Sequence, residues 1–533
     1  MTPKRLVPVV AALVLFSLTV YFMGPLTQAV ADAFWLRPGV AETIGLISPV
    51  QVTKSPLIQH KALASPDILP IYGSSELRSG GRFAPGVVFE GKPTGFTTFY
   101  MGGPVFKSLP HAVNLAGQEN LANRKLVFFL PSDWFFGGLP SAVFAKNFSA
   151  LDVYQTLFSP SLPAKLRRAI ILRLLQYRLI LKNHPILDAY LQSYEGTGWQ
   201  GAPVHLAEWP VARLDFASLQ LRDAITTISI VKKLNPKAIA ANGATSPVEH
   251  PLAWNTLAAR ALRQGRALIK NPYGIDNSML KGSINPRTAG SQDAARIDNS
   301  PEYADLDLLL AVLKAKEARP LFVILPYNGP YRDYTGFQVS ERQRHYQRLR
   351  RMLARYGFPF VDLSSQEYVP YYFNDPVHPS ARAWVPIDRI LDDYYHGTLV
   401  LHDHRPDFIA QGPAVPALPP DPGLKAGRVS PPAWLSRQPY TIATVWRVGD
   451  QPDLWRHVWD PAYAFSGSPK NNPPQGFIGT FAGNGASGRG VWKTPGLWGS
   501  VSITNVRGDI VSFTASSGLK GTFNLDTHAW KRQ

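Results

Sequence analysis

Between Asp67 and His396 short apolar runs alternate with longer stretches of helical periodicity, and this alternation constrains the fold more than any other feature. A short run that is apolar throughout is a strand buried on both faces, and strands separated by helices form a mainly parallel sheet. The runs fall at Ile68–Tyr72, Thr97–Met101, Lys125–Leu130, Pro320–Leu325 and Phe358–Leu363. Leu306–Lys316 and Glu341–Arg355 carry helical spacing and lead into the last two strands. A long helical region, Ser149 to Gln192, interrupts the sheet as an insertion, and Gln200 to Ala294 is rich in helix and loop without a clearer pattern. The expectation is an α/β domain with helices on both faces of its sheet, spanning 31–404.

The flanks differ from this body. Lys4 and Arg5 precede an uncharged apolar stretch, Leu6 to Met23, of about the length that crosses a bilayer. Positive charge before it and none directly after it favour an N-terminus inside and a body outside. Residues 1–30 therefore read as an anchor in the cytoplasmic membrane, with a cleaved signal peptide ending near Ala29-Val30-Ala31 as the alternative. After His404 prolines and glycines accumulate, so 405–432 reads as a semi-extended spacer. Residues 433–533 hold seven of the thirteen tryptophans and alternating runs such as Ser500–Val506, Asp509–Ala515 and Gly521–Leu525. That pattern predicts a small antiparallel β module whose aromatics form its core.

Composition narrows the chemistry. The 533-residue chain contains no cysteine, which excludes disulfides, thiolate metal sites and a thiol nucleophile. Lys plus Arg number 55 against 37 Asp plus Glu, and a net charge of +18 attracts anionic polymers or membrane surfaces. An exported location argues against nucleic acid as the partner.

Two short segments carry a reactive pattern. Gly73-Ser74-Ser75-Glu76 follows the first strand, where an open α/β sheet presents its ligand crevice. Asp375-Pro376-Val377-His378 places a carboxylate three residues before an imidazole, close enough to orient it and to stabilise its protonated form. Ser75 is the expected nucleophile, with Ser74 as its competitor, His378 the general base and acid, and Asp375 its orienting group. Taken alone, Gly-Ser-Ser-Glu reads sooner as a turn with a capping serine and an acidic first turn, and the distant Asp-x-x-His reverses that balance. Gly103, after the second strand, and Asn328, after the fourth, are candidate donors to an oxyanion. The basic helical stretch Lys165–Lys182, with Arg167, Arg168 and Arg173, is a candidate guide for an anionic polymer, or a core helix with a solvated face.

Weaker motifs carry less. Gly483-Asn484-Gly485-Ala486-Ser487-Gly488 has no helix after it, Arg507-Gly508-Asp509 fits a hairpin turn, and His402-Asp403-His404 lacks a second ligand cluster. No metal and no cofactor are expected.

The order Ser…Asp…His, with the last two nearly adjacent, resembles the SGNH/GDSL hydrolases. The spaced set Gly-Ser-Ser-Glu-Leu, Gly-Gly-Pro, Phe-Phe-Leu-Pro-Ser-Asp-Trp-Phe, Leu-Pro-Tyr-Asn-Gly-Pro-Tyr-Arg-Asp-Tyr-Thr-Gly and Tyr-Phe-Asn-Asp-Pro-Val-His-Pro is similar to the DltD family of teichoic acid D-alanylation. The similarity covers roughly residues 1–400 and leaves the C-terminal extension without a counterpart. It implies Ser75, Asp375 and His378 as a triad, and transfer of D-alanine to an anionic envelope polymer outside the cytoplasmic membrane. It also implies a membrane-bound O-acyltransferase and a charged carrier protein as partners. Asp133 departs from the neutral Gln more usual in the family, and the acceptor is open between a teichoic acid and a lipopolysaccharide or other glycan. Two alternatives stand beside D-alanyl transfer: an esterase acting on a glycan or carrier on the same fold, and a non-catalytic envelope-binding protein.

Overall fold

The computed structural model describes residues 3–47, 55–194, 202–243, 252–292, 295, 297–401, 427–431, 435, 440–453, 458–482, 487–507, 510–525 and 529–533. The chain divides into two compact units. The first comprises Met1–Ser278, Ala294–Asp333 and Phe337–Val415; the second comprises Met279–Asp293, Tyr334–Gly336 and Pro416–Gln533.

The first unit is built on a parallel sheet of five strands: β1 (Ile68–Tyr72), β2 (Thr97–Met101), β3 (Lys125–Pro131), β4 (Arg319–Leu325) and β5 (Phe360–Asp362). Their order is β2-β1-β3-β4-β5, with Tyr72 opposite Met101 on one side and Phe128 on the other. All five strands lie where the apolar runs predicted them, because a strand covered on both faces has no polar side to hide it. The helices used below are α1 (Pro3–Phe34), α2 (Ser108–Ala116), α3 (Ala164–Leu174), α4 (Ala202–Val231), α5 (Trp254–Leu268), α6 (Glu302–Ala315), α7 (Val339–Tyr356) and α8 (Ala381–His396).

Alternation along the strands divides the interior into two cores. Ile68, Tyr72, Phe128, Phe322 and Ile324 pack with α2, α6 and α7. Leu69, Ile71, Val127, Phe129 and Val323 pack with Trp384, Val385 and Leu391 of α8 and Ala261 of α5. Each such fully buried side chain is worth about 1.5–3 kcal/mol relative to exposure, so both faces are firmly closed.

The insertion is helical, but the continuous helix expected over Lys165–Lys182 is broken. Tyr177 N donates to Leu174 O at 2.9 Å, a tight turn that separates α3 from the short helix Arg178–Leu181. The stretch that carried no clear pattern holds α4, a 30-residue helix running through Pro210, and α5. The C-terminal half of α1 crosses α4 closely: a side chain at Gly24 would meet Gln220 Oε1 at 2.3 Å. Ala31, one helical turn before the end of α1, is fully buried. Earlier in α1 most described apolar side chains, among them Leu15, Phe22 and Leu26, are exposed. Among the described residues no helix is long and apolar enough to cross a membrane; the side chains of 3–10, 13, 16, 17 and 20 lie outside that set.

The second unit contains two antiparallel sheets. One runs β10-β9-β8-β7-β6 and the other β11-β12-β13-β14. In chain order these are β6 (Gly427–Val429), β7 (Tyr440–Asp453), β8 (Val458–Pro469), β9 (Phe477–Ala482), β10 (Ser487–Lys493), β11 (Val501–Arg507), β12 (Ile510–Ala515), β13 (Lys520–Asn524) and β14 (Trp530–Arg532). Trp498, Phe513 and Phe523 are buried in its core, with Trp446, Trp492 and Trp530 packed against them. β6 falls inside the stretch read as spacer. His402, Asp403, His404, the rest of the spacer up to residue 426, Gly483–Ala486, Gly508 and Asp509 lie outside the described residues.

Candidate active site

β1 lies where the chain turns back: β2 is added on one side of it and β3 on the other. In open α/β sheets the crevice at the carboxyl end of such a strand is the usual ligand site. Gly73 leaves β1 with its amide bonded to Met101 O at 3.0 Å, so the ends of β1 and β2 stay together. Gly102 must be glycine here. Its φ is +157°, and a Cβ would stand 2.1 Å from the Gly73 carbonyl oxygen.

The chain then enters a tight turn, Ser75–Arg78, of the 3-10 type. Ser74 is buried and its hydroxyl donates to Gly103 O at 3.0 Å, while its amide donates to Glu76 Oε1 at 2.5 Å. The half-buried Ser75 instead directs Oγ to His378 Nε2 at 2.8 Å. The two serines are thereby separated by geometry, which their adjacency in sequence leaves open.

His378 sits on a loop after β5 that closes on itself. Asn374 N donates to His378 O and Ser380 N to Tyr372 O, each at 2.9 Å. Inside the loop, Asp375 Oδ1 accepts the amides of Val377 and His378, both at 2.8 Å. Oδ2 receives His378 Nδ1 at 2.6 Å. A hydrogen-bonded line thus runs from carboxylate through imidazole to hydroxyl.

Electrostatics follow from these contacts. Burial raises the Asp375 carboxyl, but the bond and charge of His378 and the two amides outweigh it and hold the pKa below the ordinary value. Burial likewise pulls His378 down, yet the bond and charge of Asp375, with a further contribution from Glu76, leave it raised. Glu76 is 2% exposed, and burial pushes its pKa up to about 7 against the Ser74 amide and the His378 charge. His111 completes the floor. Fully buried, with its pKa forced down to about 3, it stays neutral, so its Nε2 carries the hydrogen that Gly73 O accepts at 3.0 Å.

The remaining sequence candidates divide. Gly103 lies beside the turn through its bond to Ser74. Asn328 is buried, accepts Tyr331 N at 3.2 Å, and its amide nitrogen is 3.5 Å from Asp375 O. Arg167 donates to the carbonyls of Ser159 and Leu162, and Arg173 makes a two-point ion pair with the buried Asp305 at 2.6 and 2.9 Å. Two of the three candidate arginines are thus committed to groups of the body, while Arg168 is half-buried. Asp133 takes Arg332 as its partner, which accounts for an acid at that position. Glu76 and His111 were not singled out as site residues; a turn glutamate and a helix histidine carry no local mark of burial.

Fold and geometry together define an α/β protein with a hydrogen-bonded Ser–His–Asp line at the carboxyl edge of its sheet. Residues 49–396 match the family model described as DltD protein, and the chain belongs to that family. It is 29% identical over 344 residues to Protein DltD of Bacillus subtilis (strain 168), covering 63% of this chain and 85% of the relative. It is 27% identical over 357 residues to Protein DltD of Staphylococcus aureus (strain NCTC 8325 / PS 47), covering 65% and 86%. A third relative, Protein DltD of Lacticaseibacillus rhamnosus, is 25% identical over 353 residues. The family acts at the membrane-bound cell envelope in the D-alanylation of teichoic acid, with other Dlt proteins, which gives this chain an acyl-transfer role in general terms.

Proposed function

We propose that this protein is a serine O-acyltransferase that moves D-alanine onto an anionic envelope polymer through an acyl-Ser75 intermediate. The observation that carries the reading is the unbroken line Asp375–His378–Ser75, at 2.6 and 2.8 Å. Ser75 Oγ attacks the donor carbonyl while His378 Nε2 takes its proton; the departing group then receives that proton. An acceptor hydroxyl next attacks the acyl-serine, giving its proton to His378, which returns it to Ser75 Oγ. Asp375 holds the imidazole with Nδ1 protonated and stabilises the imidazolium in both halves. The Ser75 amide, first in its turn and so without a helical partner, and the Gly103 amide are the proposed oxyanion donors. Asn328 is assigned to bracing the Asp375 loop.

The apolar run of α1 is proposed as the membrane anchor, with Lys4 and Arg5 inside and the body outside. The donor is then presented at the outer face by a membrane-bound O-acyltransferase supplied by a D-alanyl carrier protein. The test is intact-mass analysis of the full-length protein in detergent after exposure to an activated D-alanyl donor. The reading requires a mass gain that is lost in Ser75→Ala, retained in Ser74→Ala, and discharged faster by a polyol acceptor than by water. An adduct that survives Ser75→Ala overturns it.

A further inference from the structure

α5 and the segment after it form a basic exposed surface beside the loop that carries His378. From Leu252 to Ile275 the sequence contains Arg260, Arg263, Arg266 and Lys270 and no acidic residue. All four are exposed, and none has an ion pair among the described residues. The three arginines follow one another at three-residue spacing along the side of α5 turned away from the buried Ala261 and Gly265.

This segment also touches the catalytic loop. Gly265 packs so closely on Tyr371 that a Cβ there would stand 2.7 Å from the Tyr371 Cβ. Beyond the helix, Gly274 faces the Asn328 amide, and Asp276 N donates to Asn374 O at 2.7 Å, one residue before Asp375. Between α5 and α8 runs an open groove of about 450 Å³, lined by Trp254, Leu262, Val369 and Tyr372 with Arg382 and Arg389. One Arg382 nitrogen donates to Pro370 O and Arg389 lies 4.0 Å from Asp393, so the uncommitted charge of this surface is that of the α5 arginines. Aromatic rings and guanidinium groups suit a polyol phosphate: the rings cover the carbon skeleton and the guanidinium N–H groups donate to the phosphate oxygens.

We propose that the α5 face with the α5–α8 groove is the track on which a polymer of repeating phosphodiesters docks and from which its hydroxyls are fed to Ser75. This rests on the acyl-transfer reading above. It replaces the stretch with Arg167 and Arg173, whose charges are engaged internally. The occupant is a polymer rather than the membrane surface, because the cations follow one helix toward the reacting residues and are joined to a groove.

Binding of a fluorescent glycerol-phosphate oligomer to the full-length protein in detergent tests it directly. Reversing Arg260, Arg263 and Arg266 together to Glu removes exposed charges without touching the core. Affinity for the oligomer is expected to weaken about tenfold or more at low salt and to lose most of its salt dependence. Turnover of a small neutral ester at Ser75 should stay unchanged. The parallel reversal of Arg168, and binding of neutral dextran, should show no comparable loss. Oligomer affinity unaltered by the triple reversal overturns the proposal. So does a variant that loses binding to phosphatidylglycerol vesicles while keeping the oligomer, since the face then belongs to the membrane. Failure of the acyl-transfer reading appears separately, as ester turnover that survives Ser75→Ala.

Discussion

The carboxylate of Glu76 folds back onto the amide of Ser74 at 2.5 Å and fills the space that a side chain at position 73 would need. A Cβ at Gly73 would lie 2.2 Å from Glu76 Oε1, whereas one at Gly102 would lie 2.1 Å from a backbone oxygen. The first obstruction can swing away and the second cannot. Gly73→Ala is expected to cost about 1 kcal/mol of stability and Gly102→Ala about 2–3 kcal/mol. Both should lower ester turnover, Gly73→Ala by releasing the turn that aims Ser75. Urea unfolding midpoints and steady-state rates on the same preparations check the ranking.

Removing the Glu76 charge should move the acid limb of the rate profile. Negative charge on Glu76 helps to raise the His378 pKa, and His378 must be neutral to take the serine proton. In Glu76→Gln the limb should therefore shift to lower pH. Stability changes in the opposite part of the scale. Glu76 ionises near 7 when folded and near 4.5 when unfolded, so its favourable contribution is complete below 4.5 and is lost as pH rises through about 7. Gln cannot ionise, and the melting temperature of the variant relative to the native protein should improve from pH 5 to pH 8. A kcat/KM profile and paired melts decide both.

The two serines should part by orders of magnitude. Ser75→Ala is expected to lower ester turnover at least about a thousandfold and to abolish fluorophosphonate labelling. Ser74→Ala loses one hydrogen bond, to Gly103 O, and should cost no more than about tenfold.

Groups that act together lose activity together. His378→Ala should fall to the same floor as Ser75→Ala, and the double variant should be no slower. Asp375→Asn offers the imidazole a donor where it needs an acceptor, so kcat should fall by about four powers of ten while the fold persists. Additive losses in the double variant would show that the residues do not share a step.

Strand positions were readable because β1 to β5 are mostly apolar runs buried on both faces; β5 is shorter than its run, at Phe360–Asp362, with loop on either side. α4 was hidden by Pro210, a residue that in isolation marks a break. Ser75, Asp375 and His378 were visible as two local patterns. The internal engagement of Arg173 was not legible, since nothing in the sequence near it announces Asp305, 132 residues away. Glu76 illustrates the same limit. Its string fits a helix start equally well, and only the packing around it turns a capping acid into a buried neighbour of the reacting groups.

The loop from Tyr372 to Ser380 joins base and orienting acid by bonds made inside it, and Asp276 and Asn328 brace it from outside. Assembling the reacting groups therefore requires only two pieces of chain to meet, one from each end of the sheet's sequence. The long excursion between β3 and β4 supplies none of the three reacting side chains. Its helices, α5 included, are free to change their outer residues as the polymer changes. A shift of acceptor would then be written there, leaving the bond-making apparatus as it stands.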